Sequence, residues 1–138
     1  MKRWNQLLQD IPLLQALNTE PYDLSPKSSS SFLLAPIALH RNHKLSIFGG
    51  SISLLTTTLG WFHVAQQLNG AALPALVIRD QQVQFLKPIS NDALLRARIL
   101  DESQHNGRRS FAVEVEVYNA EVGLLGAKAH LEYVLLEE

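Results

Sequence analysis

Between Leu45 and Ala65 the chain carries no Asp, Glu, Lys or Arg, and so long an uncharged run constrains everything around it. As a helix rising 1.5 Å per residue it would measure roughly 30 Å, about one bilayer core. It also holds Gly49, Gly50, Ser51, Ser53, Thr56, Thr57, Thr58, Gly60 and His63, and this small and polar content weakens insertion into lipid. The favoured expectation is a helix over residues 51–69 that is apolar nearly all round because protein encloses it, not a membrane span. Gly49-Gly50-Ser51 would open it and Asn69-Gly70 would close it.

What could enclose such a helix follows from the flanking sequence. Trp4, Leu7, Leu8, Ile11, Leu14 and Leu17 recur at steps of three and four, which predicts an amphipathic flanking helix over residues 3–17 with Pro12 as a break or kink. Residues 21–31, with two prolines and four consecutive serines, read as an exposed connection within one domain. Residues 32–39 then read as a strand. After the uncharged run the period changes from 3.6 to 2. Strands are expected over 77–86, stopped by Pro88, and over 93–100, 108–118 and 124–136. The third is the clearest, since Phe111, Val113, Val115 and Val117 alternate with Ala112, Glu114, Glu116 and Tyr118. Asn106-Gly107 marks a hairpin before it, with a loop expected to exceed two residues.

At 138 residues the chain is one domain with one core. One buried helix and about five antiparallel strands give an α+β fold, either a curved sheet wrapped around the helix, the hot-dog arrangement, or a generic sandwich. Twelve Lys and Arg against thirteen Asp and Glu leave a net charge of -1. No aromatic-basic pattern accompanies that balance, so nucleic acid is not an expected partner. The absence of cysteine excludes disulfides, thiol nucleophiles and Cys-based metal sites. It fits a cytoplasmic location, as does the lack of an export-signal pattern in the opening residues. His40 and His43 have no companion carboxylate nearby, so no metal site is expected.

Ala35-Pro36-Ile37, His40-Arg41-Asn42-His43, Ser46, Phe48-Gly49-Gly50-Ser51, Gly60-Trp61 and the later Phe85-Leu86-Lys87-Pro88-Ile89 together resemble the signature of a bacterial hot-dog family. It is the thioesterase family related to the C-terminal domain of YiiD, some members of which are malonyl-acyl carrier protein decarboxylases. The family pattern has Asn where His40 stands and Thr where Ser46 stands. The resemblance implies a homodimer with active sites at the shared interface, and a dimer or dimer of dimers is the expected assembly. It implies a thioester of acyl carrier protein or coenzyme A as substrate; no cofactor is expected.

A thioester carbonyl gains negative charge on oxygen in hydrolysis and in malonyl decarboxylation alike, so either reaction needs fixed donors there. Gly49, Gly50 and Ser51 at a helix start offer free N–H groups and the positive end of the helix dipole, although the same residues would also simply turn and cap the chain. Asn42 offers a neutral amide donor, or else bonds its own backbone. These four are the expected catalytic residues. His43, Ser46, Phe48, Thr56 and Thr57 are the expected substrate contacts, the two threonines alternatively bonding preceding carbonyls. Arg41 and Lys44 are the expected docking charges for an acidic carrier protein.

Residues 45–62 supply no acid. His63 lies roughly 18 Å along the helix from Ser51 and is expected to be structural. His40, His43 and, more weakly, Asp80 remain as bases. On the resemblance, together with the missing acid, malonyl decarboxylation, in which the substrate's own carboxylate supplies the electrons, is the preferred reaction. Thioester hydrolysis and a non-catalytic acyl-binding domain are the alternatives.

Overall fold

The computed structural model describes residues 2–22, 28–70 and 72–136. Helix α1 (Lys2–Asp10) leads into a 3-10 helix (Pro12–Leu17), then strands β1 (Glu20–Tyr22) and β2 (Ser31–Ala35) and the single turn α2 (Ile37–His40). Helix α3 (Gly49–Gln67) follows, and then β3 (Leu76–Phe85), β4 (Ala93–His105), β5 (Arg108–Asn119) and β6 (Leu125–Leu135). The strands form one antiparallel sheet in the order β1-β2-β4-β5-β6-β3.

Several elements differ from the sequence expectation, each for a local reason. The sheet has six strands rather than five, because Glu20–Tyr22 pairs with Phe32–Leu34 inside what read as a connection; residues 23–27 of that connection lie outside the described residues. The expected helix over 3–17 divides at Ile11, since Pro12 cannot donate to the helical ladder. The strand expected to reach residue 39 stops at Ala35 before Pro36, and Ile37–His40 turns helical. Asn106 and Gly107 both have positive φ (52° and 77°) and make a two-residue hairpin loop, shorter than expected, which lets β4 run on to His105.

The sheet curls around α3. On β5 the alternation sends Phe111, Val113, Val115 and Val117 inward, all essentially without solvent exposure. Leu55, Leu59 and Phe62 of α3 are wholly buried with them in one core, each contributing about 2 kcal/mol of apolar transfer. A charge at any of these buried α3 positions would have no water to solvate it, which explains why they are uncharged. The helix is long, but among the described residues no helix is long and apolar enough to cross a membrane.

Close contacts fix the helix in register. Gly60 has no side chain, so the Tyr133 hydroxyl passes it and donates to the Thr57 carbonyl at 2.7 Å; a Cβ there would sit 2.6 Å from that hydroxyl oxygen. Trp61 Nε1 donates to the Leu76 carbonyl at 2.6 Å. Trp4 of α1 meets Phe62 edge-on at 5.2 Å between ring centroids. The Arg3 guanidinium donates to the carbonyls of Ala65 and Gly70, a cation at the negative end of α3. Thus α1 closes one side of the helix while the other end of α3, at Gly49, stays open.

Candidate active site

The loop before α3 is a tight hairpin. Arg41 and Ile47 form an isolated bridge, Asn42 N–H donates to the Ser46 carbonyl at 2.8 Å, and Leu45 takes a left-handed φ of 62°. The Asn42 side chain organises the turn: its Oδ1 accepts from Lys44 N (2.9 Å), Ser46 N (3.2 Å) and Ser46 Oγ (3.4 Å). The Asn42 amide nitrogen has no partner among the described residues and is held as a fixed donor. The hairpin is anchored by Ile47 N–H to the Ile89 carbonyl and by Phe48 N–H to the His40 carbonyl.

Helix α3 starts at Gly49, two residues earlier than expected. Its N-cap is Phe48, whose side chain makes no capping bond, and Ile52 N–H is the first to find a carbonyl, that of Phe48 at 3.1 Å. The N–H groups of Gly49, Gly50 and Ser51 therefore have no acceptor among the described residues, three aligned donors at the positive end of a 19-residue helix. A side chain at Gly50 would strike the Phe48 ring, and one at Gly49 would stand 3.4 Å from the Phe85 ring. Phe48 and Phe85 are both more than half exposed, so two aromatic rings flank the glycine pair. Beside Gly49 lies a groove of about 310 Å³, whose lining includes Ser46, Ile52, Phe85 and Lys87 and contains no Asp, Glu or His.

Ser51 is not the helix cap that its position suggested. Its hydroxyl lies 2.9 Å from His40 Nδ1, and His40 Nε2 lies 2.8 Å from the Leu17 carbonyl. A carbonyl only accepts, so Nε2 carries a hydrogen; in the neutral ring Nδ1 is then the acceptor and Ser51 Oγ–H the donor. His40 is only 3% exposed, while Ser51 is half-buried. The histidine met in the sequence as a loop residue is thus buried, bonded to Ser51, and oriented by a carbonyl from the 3-10 helix 23 residues upstream.

The other expected residues spread out. Thr56 and Thr57 donate back to the Ser53 carbonyl at 3.1 and 2.9 Å, and both hydroxyl oxygens accept from Gln81 Nε2, at 3.1 and 2.8 Å, which also reaches Ser53 O. Gln81, on the edge strand β3, escaped the sequence reading because nothing local distinguishes it from Gln82. His43, Arg41, Lys44 and Asp80 are exposed, and neither Arg41 nor Lys44 has an ion partner among the described residues. His63 is structural as expected: its Nδ1 lies 2.7 Å from the buried Ser31 hydroxyl, and burial pulls it down to about 4. Glu114 is the one buried acid among the described residues. It alternates with the inward valines and so points away from α3, toward Arg98 (2.7 Å), His130 (3.1 Å) and Lys128 (4.0 Å). Burial pushes its carboxyl up, but the hydrogen bonds from Arg98 and His130 outweigh this and leave it below its ordinary value.

A sheet curled around a central helix is the hot-dog architecture. The family model described as "Putative thioesterase (yiiD_Cterm)" matches residues 2–136, and the chain belongs to that family. Solved structures agree on the fold. A Shewanella oneidensis protein carrying the same thioesterase description shares 24% identity at a TM-score of 0.80, covering 99% of this chain and 96% of its own. A thioesterase from Haemophilus influenzae shares 17% at 0.79, covering 99% and 92%. The E. coli PaaI protein from the phenylacetic acid degradation operon shares 14% at 0.78, covering 99% and 92%. No curated protein sequence matches this chain.

Proposed function

We propose that this chain hydrolyses acyl thioesters of coenzyme A or acyl carrier protein at the open end of α3. The observation that carries the reading is the chain of hydrogen bonds from Ser51 Oγ to His40 Nδ1 and from His40 Nε2 to the Leu17 carbonyl. The sequence expectation of decarboxylation rests on the resemblance and on the missing acid; the buried imidazole on Ser51 answers the second ground by offering a base from outside α3. The carbonyl oxygen is received by the N–H groups of Gly49, Gly50 and Ser51, with the Asn42 amide nitrogen as a further neutral donor. Ser46 and Phe48 border the acyl and thiol portions, and the exposed Arg41 and Lys44 meet an acidic carrier or a nucleotide phosphate.

Malonyl decarboxylation to an acetyl thioester that primes fatty acid synthesis is the second reading. It is favoured by the groove beside Gly49, whose walls hold no carboxylate or imidazole to deliver hydroxide. Both readings place the protein in the cytoplasm as a homodimer. Edge strand β3 supports the dimer, with Val77, Ile78 and Phe85 all more than 40% exposed along an unpaired side.

One assay separates the readings. Purified protein is incubated with acetyl- and malonyl-coenzyme A while free thiol and carbon dioxide are both followed. Thiol without carbon dioxide is the expected result, carbon dioxide without thiol establishes the decarboxylase, and neither product leaves an acyl-binding domain.

A further inference from the structure

We infer that Ser51 is a covalent nucleophile, so that hydrolysis proceeds through an acyl ester on its hydroxyl rather than by direct attack of water. The inference rests on the hydrolase reading and names how that site works. Both His40 ring nitrogens are engaged, one by Ser51 Oγ and the other by the Leu17 carbonyl, and the residue is 3% exposed. In the free protein the proton within reach of Nδ1 is therefore that of Ser51.

The serine is equally specialised. The hydroxyls of Thr56, Thr57 and Thr58 on the same helix all turn back onto the carbonyls of Ser53 or Leu54, the usual resting place for a hydroxyl within a helix. Ser51 instead points its hydroxyl at an imidazole, and it stands at the helix end where its own N–H and those of Gly49 and Gly50 are free. A nucleophile, a base within hydrogen-bond reach, a third group fixing the base's tautomer, and oxyanion donors beside them make up the arrangement that activated serines require.

The steps balance without any cofactor. Ser51 Oγ bonds to the thioester carbonyl carbon as its proton passes to His40 Nδ1. The carbon–sulfur bond breaks, the departing sulfur takes that proton, and the free thiol leaves an acyl ester on Ser51. With Oγ esterified, Nδ1 no longer accepts from Ser51, and a water adding to the ester carbonyl gives its proton to that nitrogen. The carbon–Oγ bond breaks, Oγ recovers the proton, and the carboxylic acid departs.

The test uses the full-length protein mixed with hexanoyl-coenzyme A, quenched in acid within one turnover and measured by intact mass and peptide mapping, with a fluorophosphonate as an independent serine probe. The expected result is one hexanoyl group, and one fluorophosphonate label, on the peptide holding Ser51. Ser51→Ala should lose both and release thiol at least about a hundredfold more slowly. Ser51→Cys should still accept the hexanoyl group, which separates loss of the nucleophile from loss of the fold. Thiol release by Ser51→Ala within a few-fold of the unmodified protein, or turnover with neither adduct nor label, overturns the nucleophile and leaves hydrolysis standing. A protein that releases no thiol from acetyl-, malonyl- or hexanoyl-coenzyme A overturns both.

Discussion

Among the described residues two buried histidines each bond a serine, and they differ in what lies beyond the serine. His63 pairs with Ser31 at 2.7 Å, and both residues are sealed at about 1% exposure between α3 and the sheet. His40 pairs with Ser51 at 2.9 Å, but Ser51 stands half-buried at the open end of α3, where its own N–H and those of Gly49 and Gly50 are free. The bond is the same and the consequence opposite. Where the serine is enclosed, the pair serves to satisfy polar atoms in an apolar core. Where the serine reaches the edge of the core, the same pair can move a proton to something that arrives from outside.

Exchanging one histidine at a time breaks this comparison most sharply. His40→Gln should slow thiol release about a thousandfold, the scale of a lost general base, and lower the melting temperature by several degrees, since its buried hydrogen bonds are disturbed. His63→Gln should leave the rate within a few-fold and lower the melting temperature by several degrees, since a buried hydrogen bond is disturbed. Equal losses of activity in the two variants would remove the distinction.

Next in size is Asn42→Asp. The carboxylate keeps the acceptor position that holds Lys44 N and Ser46 N but loses the amide donor, so turnover should fall about a hundredfold while thermal unfolding stays near that of the unmodified protein. Unchanged turnover would assign Asn42 to the loop alone.

His63 also imposes a pH signature. Folded, it stays neutral down to about 4 because burial disfavours its charged form, against an ordinary value of 6.5. As pH falls through that ordinary value the unfolded chain binds a proton that the folded one refuses, so stability is full above it and declines below. The loss attributable to this group is about 2 kcal/mol at pH 5. Denaturant titrations at pH 5 and 7.5 should show this difference in the unmodified protein and not in His63→Gln. The smallest effect belongs to Thr58→Ala, whose hydroxyl only repeats a bond to the Leu54 carbonyl. It should leave activity unchanged and stability within about 1 kcal/mol.

Much of the fold was legible because it is written in local periodicity. The alternation over Phe111–Val117 declared which face of β5 is buried, the uncharged run declared the central helix, and Asn106-Gly107 declared its hairpin. Elements held by partners rather than by their own pattern were not legible. Strand β1 is three residues long with Pro21 at its centre, and it exists because β2 offers an edge. Beyond residue 100, β4 is polar and exposed, and its pairing with β5 sustains it. At the site, the glycine pair and Asn42 could be singled out from residue chemistry. The His40–Ser51 contact could not, because it depends on how the hairpin between them folds back and on a carbonyl donated by Leu17, positions whose spacing encodes nothing. Gln81 reaches Ser53 from the far edge of the sheet and was hidden for the same reason.

The most direct measurement of the central claim is a crystal structure with a coenzyme A analogue in which an ether oxygen or methylene replaces the thioester sulfur. The account predicts the acyl carbonyl oxygen within about 3 Å of the Gly50 or Ser51 N–H, with the carbonyl carbon facing Ser51 Oγ and His40 still behind it. An analogue bound with its carbonyl remote from the leading end of α3, or a Ser51 hydroxyl turned away from both carbonyl and imidazole, would contradict it.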